Sequence, residues 1–293
     1  MGKQETKVLH DGAYILAKRK DSVGRITTFL VFDIETVPDT EMVEVVGKDK
    51  EKEKLQCMRA GQNGEPVAQG AFLQPHFHQI VAVSTLVIKP SGDGAFSLDL
   101  ASAHGSEMEL IKHFWLRFRE AMLYEVRPQN VINILGFPCL VSFNGTRFDM
   151  PAIVARTLKY ARHLDPLERG RVALYCDNYD KWEDKAANYR NRYTKYHVDL
   201  CWEIMDGSNT PISLAAACYL AGIPVKTGMG GKDVWKAHHE GKHQEIAEYC
   251  AEDVMATAQL FSIWNEVFLG GRFNFPTREK LSGLEPKIIK ISK

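Results

Sequence analysis

The stretch FLVFDIETVPD, residues 29–39, sets two carboxylates at the end of a buried strand. Phe29 to Phe32 form an unbroken run of large apolar residues, which is typical of a strand covered on both faces. Asp33 and Glu35 interrupt this run. Because side chains alternate between the faces of a strand, the two carboxylates point to the same side, a few ångströms apart. Like charges so close repel, and burial makes the repulsion worse, so the arrangement calls for a compensating partner.

The composition is that of a globular protein with a sizeable core. The chain has 293 residues, of which 45% are hydrophobic, and this suits one elaborated domain or a domain with insertions. No apolar run approaches the ~18 residues of a membrane span, and the N-terminus MGKQETKVLHDG is too polar for a signal peptide. We therefore expect a soluble, cytoplasmic protein without a membrane partner.

The cysteines and the net charge restrict the kinds of site and partner that the protein can have. The six cysteines form no CxxC pair, which argues against a zinc site or a disulfide framework and fits a reducing compartment. The net charge is zero, so any nucleic-acid binding must come from a local basic surface or from bound cations.

Elements of alternating type predict an α/β architecture. The predicted strands are 28–36, 79–90, 94–101 and 138–145, and the turn SGDG joins the second and third into a hairpin. The predicted helices are 106–123, 150–164, 213–222 and 242–268. The first of these opens with Ser106 as a cap and Glu109 three residues later.

Two stretches have the composition of insertions. Residues 45–70 are charged and poor in apolar residues, and residues 177–197 form a polar, aromatic arm. Aromatic rings can stack on bases and cations can contact phosphates, so the arm is predicted to bind single strands. The residues expected to do this are Tyr179, Trp182, Tyr189, Arg190, Arg192, Tyr193 and Lys195. The last twenty residues have the character of a tail.

A carboxylate also stands at the strand-to-helix junction SFNGTRFDMPAIVA. Asp149 occupies the position of a helix N-cap, with Pro151 in the first turn, and capping alone could explain it. The carboxyl end of a buried strand is also where open α/β sheets place their sites. Asn144 and Gly145 would add a backbone bend and an amide facing the same crevice.

The last predicted helix carries a further carboxylate beside its apolar stripe. Asp253 lies on the stripe that should pack, and Tyr249 lies one turn earlier on nearly the same side. A solvated helix edge explains either residue alone, but finding both beside the stripe weakens that interpretation.

Convergence of the four carboxylates would explain them together. Asp33, Glu35, Asp149 and Asp253 could hold divalent cations, which cancel their repulsion. Oxygen ligands suit Mg²⁺ or Mn²⁺, and two such ions stabilise the attacking and leaving oxygens of a phosphoryl displacement. Phosphodiester hydrolysis is the reaction that this site predicts.

Three motifs, in this order, resemble those of a known superfamily. DIE at 33–35, NGTRFD at 144–149 and YCAED at 249–253 resemble the exonuclease motifs of the DEDD superfamily, in the variant with a tyrosine four residues before the last aspartate. FDIETVPD, PHFHQIVAVS, LVSFNGTRFDMPAIVART, HVDL and GIPVKTGMGGKDVWKAHHEGKHQEIAEYCAEDV resemble, more closely, the predicted 3′–5′ exonucleases related to the exonuclease domain of family B DNA polymerases. These blocks span roughly residues 27–268.

The resemblance implies an RNase H-like α/β fold, a mixed sheet flanked by helices, with insertions. It also implies an N-terminal extension at 1–26, an exonuclease domain at 27–269 interrupted by the two insertions, and a C-terminal tail at 270–293. This sequence departs from the expected pattern in the arm, in both end segments and at Gly230, where an acidic residue is expected. These departures bear on the choice of substrate.

Residue roles follow from the same resemblance. Asp33 would bridge two Mg²⁺ or Mn²⁺ ions, while Glu35 and Asp253 hold the ion that activates water. Asp149 would serve the second ion through water, and Tyr249 would position the attacking water. The implied substrate-binding residues are Thr36, Asn144 and Phe148.

Other polar features have plainer explanations. The loop KTGMGGKD, 226–233, lacks the glycine spacing of a P-loop, and its lysines fit a solvated loop better than a substrate contact. His76, His78 and the group His238, His239 and His243 lack a cysteine or acidic pattern, so surface or packing roles are favoured over metal binding. Asp199 in HVDL is either a helix cap or a residue that supports the site.

Three functions are compatible with these motifs. The leading hypothesis is a metal-dependent 3′–5′ exonuclease acting on DNA 3′ ends, with single-stranded DNA as the expected partner. An exoribonuclease with the same centre is the alternative, because nothing in the motifs reads the 2′-hydroxyl. The third is a catalytically idle binding module of a replication or repair assembly. Since 293 residues leave no room for a polymerase region, proofreading would require a partner chain in trans.

Overall fold

The protein is represented here by a computed structural model, which describes residues 6–10, 13–17, 26–62, 72–127, 131–176, 189, 196–206, 208, 210–224 and 228–291. Across these ranges the strands are β1 (Thr6–His10), β2 (Ala13–Ala17), β3 (Phe29–Pro38), β4 (His78–Pro90), β5 (Phe96–Gly105), β6 (Leu123–Arg127), β7 (Val131–Gly136), β8 (Cys139–Ser142), β9 (His197–Asp199) and β10 (Lys287–Ile291). The α-helices are α1 (Thr40–Val46), α2 (Asp49–Gln62), α3 (Glu107–Glu120), α4 (Asp149–Lys159), α5 (Pro166–Cys176), α6 (Leu200–Ile204), α7 (Leu214–Leu220), α8 (Val234–His239), α9 (His243–Val267) and α10 (Arg278–Leu281).

A six-stranded mixed sheet forms the centre of the molecule, in the order β10-β5-β4-β3-β8-β9. β3, β4 and β5 are antiparallel neighbours, whereas β8 runs parallel to β3 and β9 runs parallel to β8. A smaller four-stranded sheet has the order β1-β2-β7-β6. The predicted α/β fold, a mixed sheet flanked by helices and consistent with an RNase H-like arrangement, is confirmed.

The two faces of β3 pack against different helices. Phe32 faces α3, where its ring lies 5.5 Å from that of Phe114. Phe29 faces α9, where its ring lies 6.0 Å from that of Phe261. Since side chains alternate along a strand, Asp33 and Glu35 share the α9 side with Phe29.

Most predicted elements are confirmed, with shifts at their ends. The SGDG hairpin joins β4 to β5, and the long C-terminal helix runs from His243 to Val267. Ser106 is the N-cap residue of α3, as predicted, but its side chain makes no capping hydrogen bond. Glu109 instead forms an ion pair with Lys112 at 3.3 Å.

The C-terminal segment is part of the fold and not a tail, contrary to our prediction. Strand β10 pairs in parallel with β5 and so forms one edge of the central sheet. Phe273, Phe275 and Leu281 are buried against the core on the α9 side. Burial of these apolar side chains offsets part of the entropy cost of ordering the segment.

The two predicted insertions differ in what the structure describes of them. Residues 45–62 lie largely in helices α1 and α2, where Leu55 is buried. Most of the arm at 177–197 lies outside the described residues. Tyr189 is described and is buried, its hydroxyl donating to the Pro138 carbonyl at 2.7 Å. The prediction that Tyr189 stacks on bases is therefore wrong, because its ring packs against Phe118 and other core aromatics.

In the described ranges, none of the helices is both long enough and apolar enough to span a bilayer.

Candidate active site

Strand β3 extends beyond the end of its neighbour β8, and Asp33 and Glu35 lie in this extension. β8 pairs with β3 only from Phe29 to Val31, whereas β4 follows β3 as far as Pro38. The Ile34 backbone N–H, between Asp33 and Glu35, donates to a carboxylate oxygen of Asp149 at 3.2 Å. The end of β8 therefore leaves an edge of β3 that Asp149 occupies.

Helix α9 lies against the other side of Asp33 and Glu35. The Cys250 thiol is 3.4 Å from the Asp33 carbonyl and 3.7 Å from its carboxylate. Ligand atoms of Asp33, Glu35 and Cys250 lie within 4.8 Å of one another, which among the described residues is the one His, Cys, Asp or Glu group of three or more so closely spaced. β3 and α9 therefore bring carboxylate oxygens close enough for a cation.

Cys250 is a neighbour of the carboxylates that our sequence reasoning did not select. It is fully buried, and burial together with Asp33, Glu35 and Asp253 raises the pKa of its thiol. A protonated thiol donates to Asp33 and is a poor ligand for Mg²⁺, which prefers oxygen. This contact with Asp33 could not be predicted from the sequence, because Cys250 has the position and character of an apolar residue of the α9 stripe.

Tyr249 and Asp253 face the same carboxylates from α9. Burial, and then the charges of Asp253, Glu35 and Asp33, raise the pKa of the Tyr249 phenol. The phenol also hydrogen-bonds to the Asp253 side chain. The solvated-edge interpretation of this helix face is therefore wrong, since both side chains are directed at β3.

Asp149 is the first residue of α4 and is not its cap. The N-cap position belongs to Phe148, and the Asp149 side chain turns back to the Ile34 N–H. Asp149 is 5% exposed. Burial, reinforced by the nearby charge of Asp199, raises the pKa of Asp149 to about 7. A nearby cation would favour the ionised form and so lower this pKa again, which means that Asp149 would lose its proton when a cation binds.

The raised pKa of Asp149 predicts a pH dependence of stability. Because the folded pKa of about 7 exceeds the unfolded value, the stabilising contribution of protonated Asp149 is complete below about pH 4 and is lost as pH rises through about 7. We expect the free energy of unfolding of Asp149→Asn, relative to that of the wild type, to increase when the pH is raised from about 5 to about 8. Urea denaturation in EDTA at both pH values measures this, and a pH-independent difference would contradict the burial of a protonated Asp149.

Asp199 braces the loop that carries Asn144. Its carboxylate accepts from the backbone N–H groups of Asn144 at 2.7 Å and Thr146 at 3.0 Å, and from the Thr146 hydroxyl. It also caps α6 by accepting from Cys201 N–H at 3.2 Å. Both roles considered for Asp199 are therefore filled at once.

The same loop bends sharply after β8. Asn144 has a φ of 64°, in the left-handed region that Asn tolerates better than most residues. A Cβ at Gly145 would collide with the Ser142 side chain, so glycine is required there. This bend directs the chain into α4 and sets Phe148 beside Asp149.

Thr36 and Phe148, expected to bind substrate, share an aromatic cluster at the end of β3. The Thr36 hydroxyl is 3.1 Å from Nδ1 of His78, and the His78 ring is 5.1 Å from that of Phe148. Burial lowers the pKa of His78 to about 4, so the ring is neutral at physiological pH. His78 thus has the packing role that we favoured.

A buried ion-pair network anchors α4 to the rest of the site. Arg156 donates to Asp39 at 2.7 Å and to Glu107 at 2.6 Å. Glu107 also accepts from the Ile80 N–H at 2.8 Å and from the Tyr160 hydroxyl at 2.9 Å. These bonds tie α4, and so Asp149, to the end of β3, the start of β4 and the start of α3.

The remaining histidines and the glycine loop make contacts of their own. His238 and His243 have ring centroids 4.9 Å apart, and His104 of β5 lies 6.4 Å from His243. In the glycine loop the Asp233 carboxylate accepts from Gly230 N–H at 2.9 Å, which caps a helical turn. Lys226 lies outside the described residues.

Comparison with known proteins identifies the family of the chain. A search of curated proteins found no match. A family model, described as a predicted 3′–5′ exonuclease related to the exonuclease domain of PolB, matches residues 70–273. That range holds Asp149, Tyr249 and Asp253, while Asp33 and Glu35 precede it on β3. The match covers more than half of the chain, and the chain therefore belongs to this family of predicted 3′–5′ exonucleases.

Proposed function

We propose that the protein is a metal-dependent 3′–5′ exonuclease that hydrolyses phosphodiester bonds at the 3′ ends of single-stranded DNA. The observation that carries the proposal is the meeting of β3 and α9, where Asp33 and Glu35 face Tyr249 and Asp253. Family membership supports the reaction class. We further propose a cytoplasmic location, supported by the absence of any CxxC pair among the six cysteines.

The residues present suit Mg²⁺ or Mn²⁺. Asp33, Glu35, Asp149 and Asp253 would hold the ions, because carboxylate oxygens are the ligands these cations prefer. The metal-free site carries mutual repulsion and a buried acid of raised pKa at Asp149, both of which a cation relieves. When bound, two divalent ions would activate water and stabilise the leaving oxygen.

The chain's own groups position the reactants. We propose that the Tyr249 hydroxyl orients the attacking water, since it already lies among three carboxylates. Asn144, Thr36 and Phe148 line the approach from the β3 edge and the start of α4, where the terminal nucleotide would lie. Cys250 holds Asp33 through its thiol hydrogen bond.

We expect Tyr249→Phe to lower kcat by up to about 10²-fold, because misplacing a reacting water has a cost of that order. Its affinity for Mn²⁺ should not change, since the carboxylates are intact. Single-turnover hydrolysis and Mn²⁺ titration measure the two effects. Tyr219→Phe is the matched control, since Tyr219 is 77% exposed on α7. A kcat equal to that of the wild type in Tyr249→Phe would show that the Tyr249 hydroxyl does not orient the attacking water.

The activity is tested with 5′-labelled single- and double-stranded DNA and RNA in Mg²⁺, Mn²⁺ or EDTA. We expect single-stranded DNA to shorten stepwise from its 3′ end with metal and to stay intact in EDTA. Faster cleavage of RNA would instead assign an exoribonuclease. Binding without cleavage in either metal would indicate an idle module of a replication or repair assembly. Adding a polymerase chain in trans tests whether the protein proofreads for a partner.

A further inference from the structure

Phe72 presents an aromatic ring to solvent beside the proposed active site. The side chain is 60% exposed, although Phe is a large apolar residue. Its ring is stacked on that of His78, with centroids 5.0 Å apart and planes at 22°, and meets Phe148 edge-on at 5.6 Å. A ring that lies flat on one neighbour and remains this exposed has its other face open.

The ring that supports Phe72 is buried and is linked to the elements that carry the carboxylates. His78 is 1% exposed and is bonded to Thr36, which directly follows Glu35 on β3. Phe148, the other ring in the cluster, directly precedes Asp149. Phe72 therefore contacts two rings that are linked to the carboxylates. His78 is hydrogen-bonded to the residue after Glu35, and Phe148 is the residue before Asp149.

We propose that Phe72 is a substrate-binding residue whose ring stacks on a nucleobase of the last two nucleotides of a single strand. This inference rests on the exonuclease function proposed above. Bases inside a duplex have both faces covered by their neighbours, so the platform favours a single-stranded or frayed 3′ end. Stacking tolerates any sequence, because every base has a π-face.

Kinetics of Phe72 variants test the proposal. We expect Phe72→Ala to raise the KM for a single strand roughly tenfold with kcat retained, because stacking binds the ground and transition states alike. Phe72→Trp, which keeps a flat ring, should retain wild-type KM. Phe268→Ala is the matched control, because Phe268 is 64% exposed and stacked on Trp264, but lies about 20 Å further along α9 than Asp253. It should leave KM unchanged.

A strand without bases at its last two positions completes the test. Removing the bases should abolish the difference between wild type and Phe72→Ala, since neither protein then has a base to stack. An equal loss on intact and abasic strands, or wild-type KM in Phe72→Ala on the intact strand, would overturn the role of Phe72. Wild-type hydrolysis in the same assay reports separately on the exonuclease function, so the two ideas fail by different results.

Discussion

Asp253→Asn should lower the rate of strand hydrolysis by about 10³-fold or more while the protein stays folded. Asparagine keeps the shape of aspartate but removes a negative charge that faces Tyr249 and Cys250. A divalent cation held by carboxylates needs that charge, and loss of one stabilising group at a reacting centre costs this order of magnitude. Hydrolysis of a 5′-labelled strand in Mg²⁺ or Mn²⁺ gives the rate.

Stability separates this effect from misfolding. Without metal, Asp253→Asn should be as stable as the wild type or more stable, because removing one carboxylate relieves repulsion. Glu252→Gln is the matched control, since it removes one charge from the neighbouring exposed position of α9. Activity close to that of the wild type in Asp253→Asn, or an equal loss in Glu252→Gln, would show that Asp253 is not a metal ligand.

Arg156→Met should lower the free energy of unfolding by roughly 3–5 kcal/mol. Arg156 is 1% exposed and bonded to both Asp39 and Glu107. Methionine fills most of the space but leaves the two carboxylates with only the half-exposed Lys159 as a nearby cation. Urea denaturation measures the change.

Lys159→Met is the control for this network. Lys159 lies 3.3 Å from Asp39 and 3.7 Å from Glu107, but its side chain is 48% exposed. Solvent screens such a pair, so its loss should cost less than about 1 kcal/mol. An equal decrease in the free energy of unfolding in the two variants would show that the buried ion pairs of Arg156 stabilise the fold no more than the exposed ones of Lys159. In that case α4 is held by its apolar face alone.

The sequence predicted those elements whose pattern is local. Phe29 to Phe32 and the alternating types that follow indicate β3, β4 and the long helix α9 through periodicity alone. Strand β10 was missed because KIIKI has two lysines in five residues and pairs with β5, almost two hundred positions earlier in the chain. Tyr189 was misassigned because its polar neighbours hide the aromatic core that it joins.

The candidate site was predictable where a charge interrupts an apolar pattern. Asp33, Glu35 and Asp253 stand out in this way, and the structure directs all three to the space between β3 and α9. Phe72 and Cys250 carry no such signal, since an apolar residue near a helix or strand looks like core. The Arg156 network joins residues 49 and 117 positions apart, and only tertiary structure reveals it.

The central claim is that four carboxylates hold two divalent cations, and anomalous scattering from crystals grown with Mn²⁺ tests it most directly. We predict two anomalous peaks, ~4 Å apart, with Asp33 between them, Glu35 and Asp253 at one ion and Asp149 on the side of the other. No peak at these carboxylates under saturating Mn²⁺, or peaks only at another group such as His238 and His243, would contradict the claim.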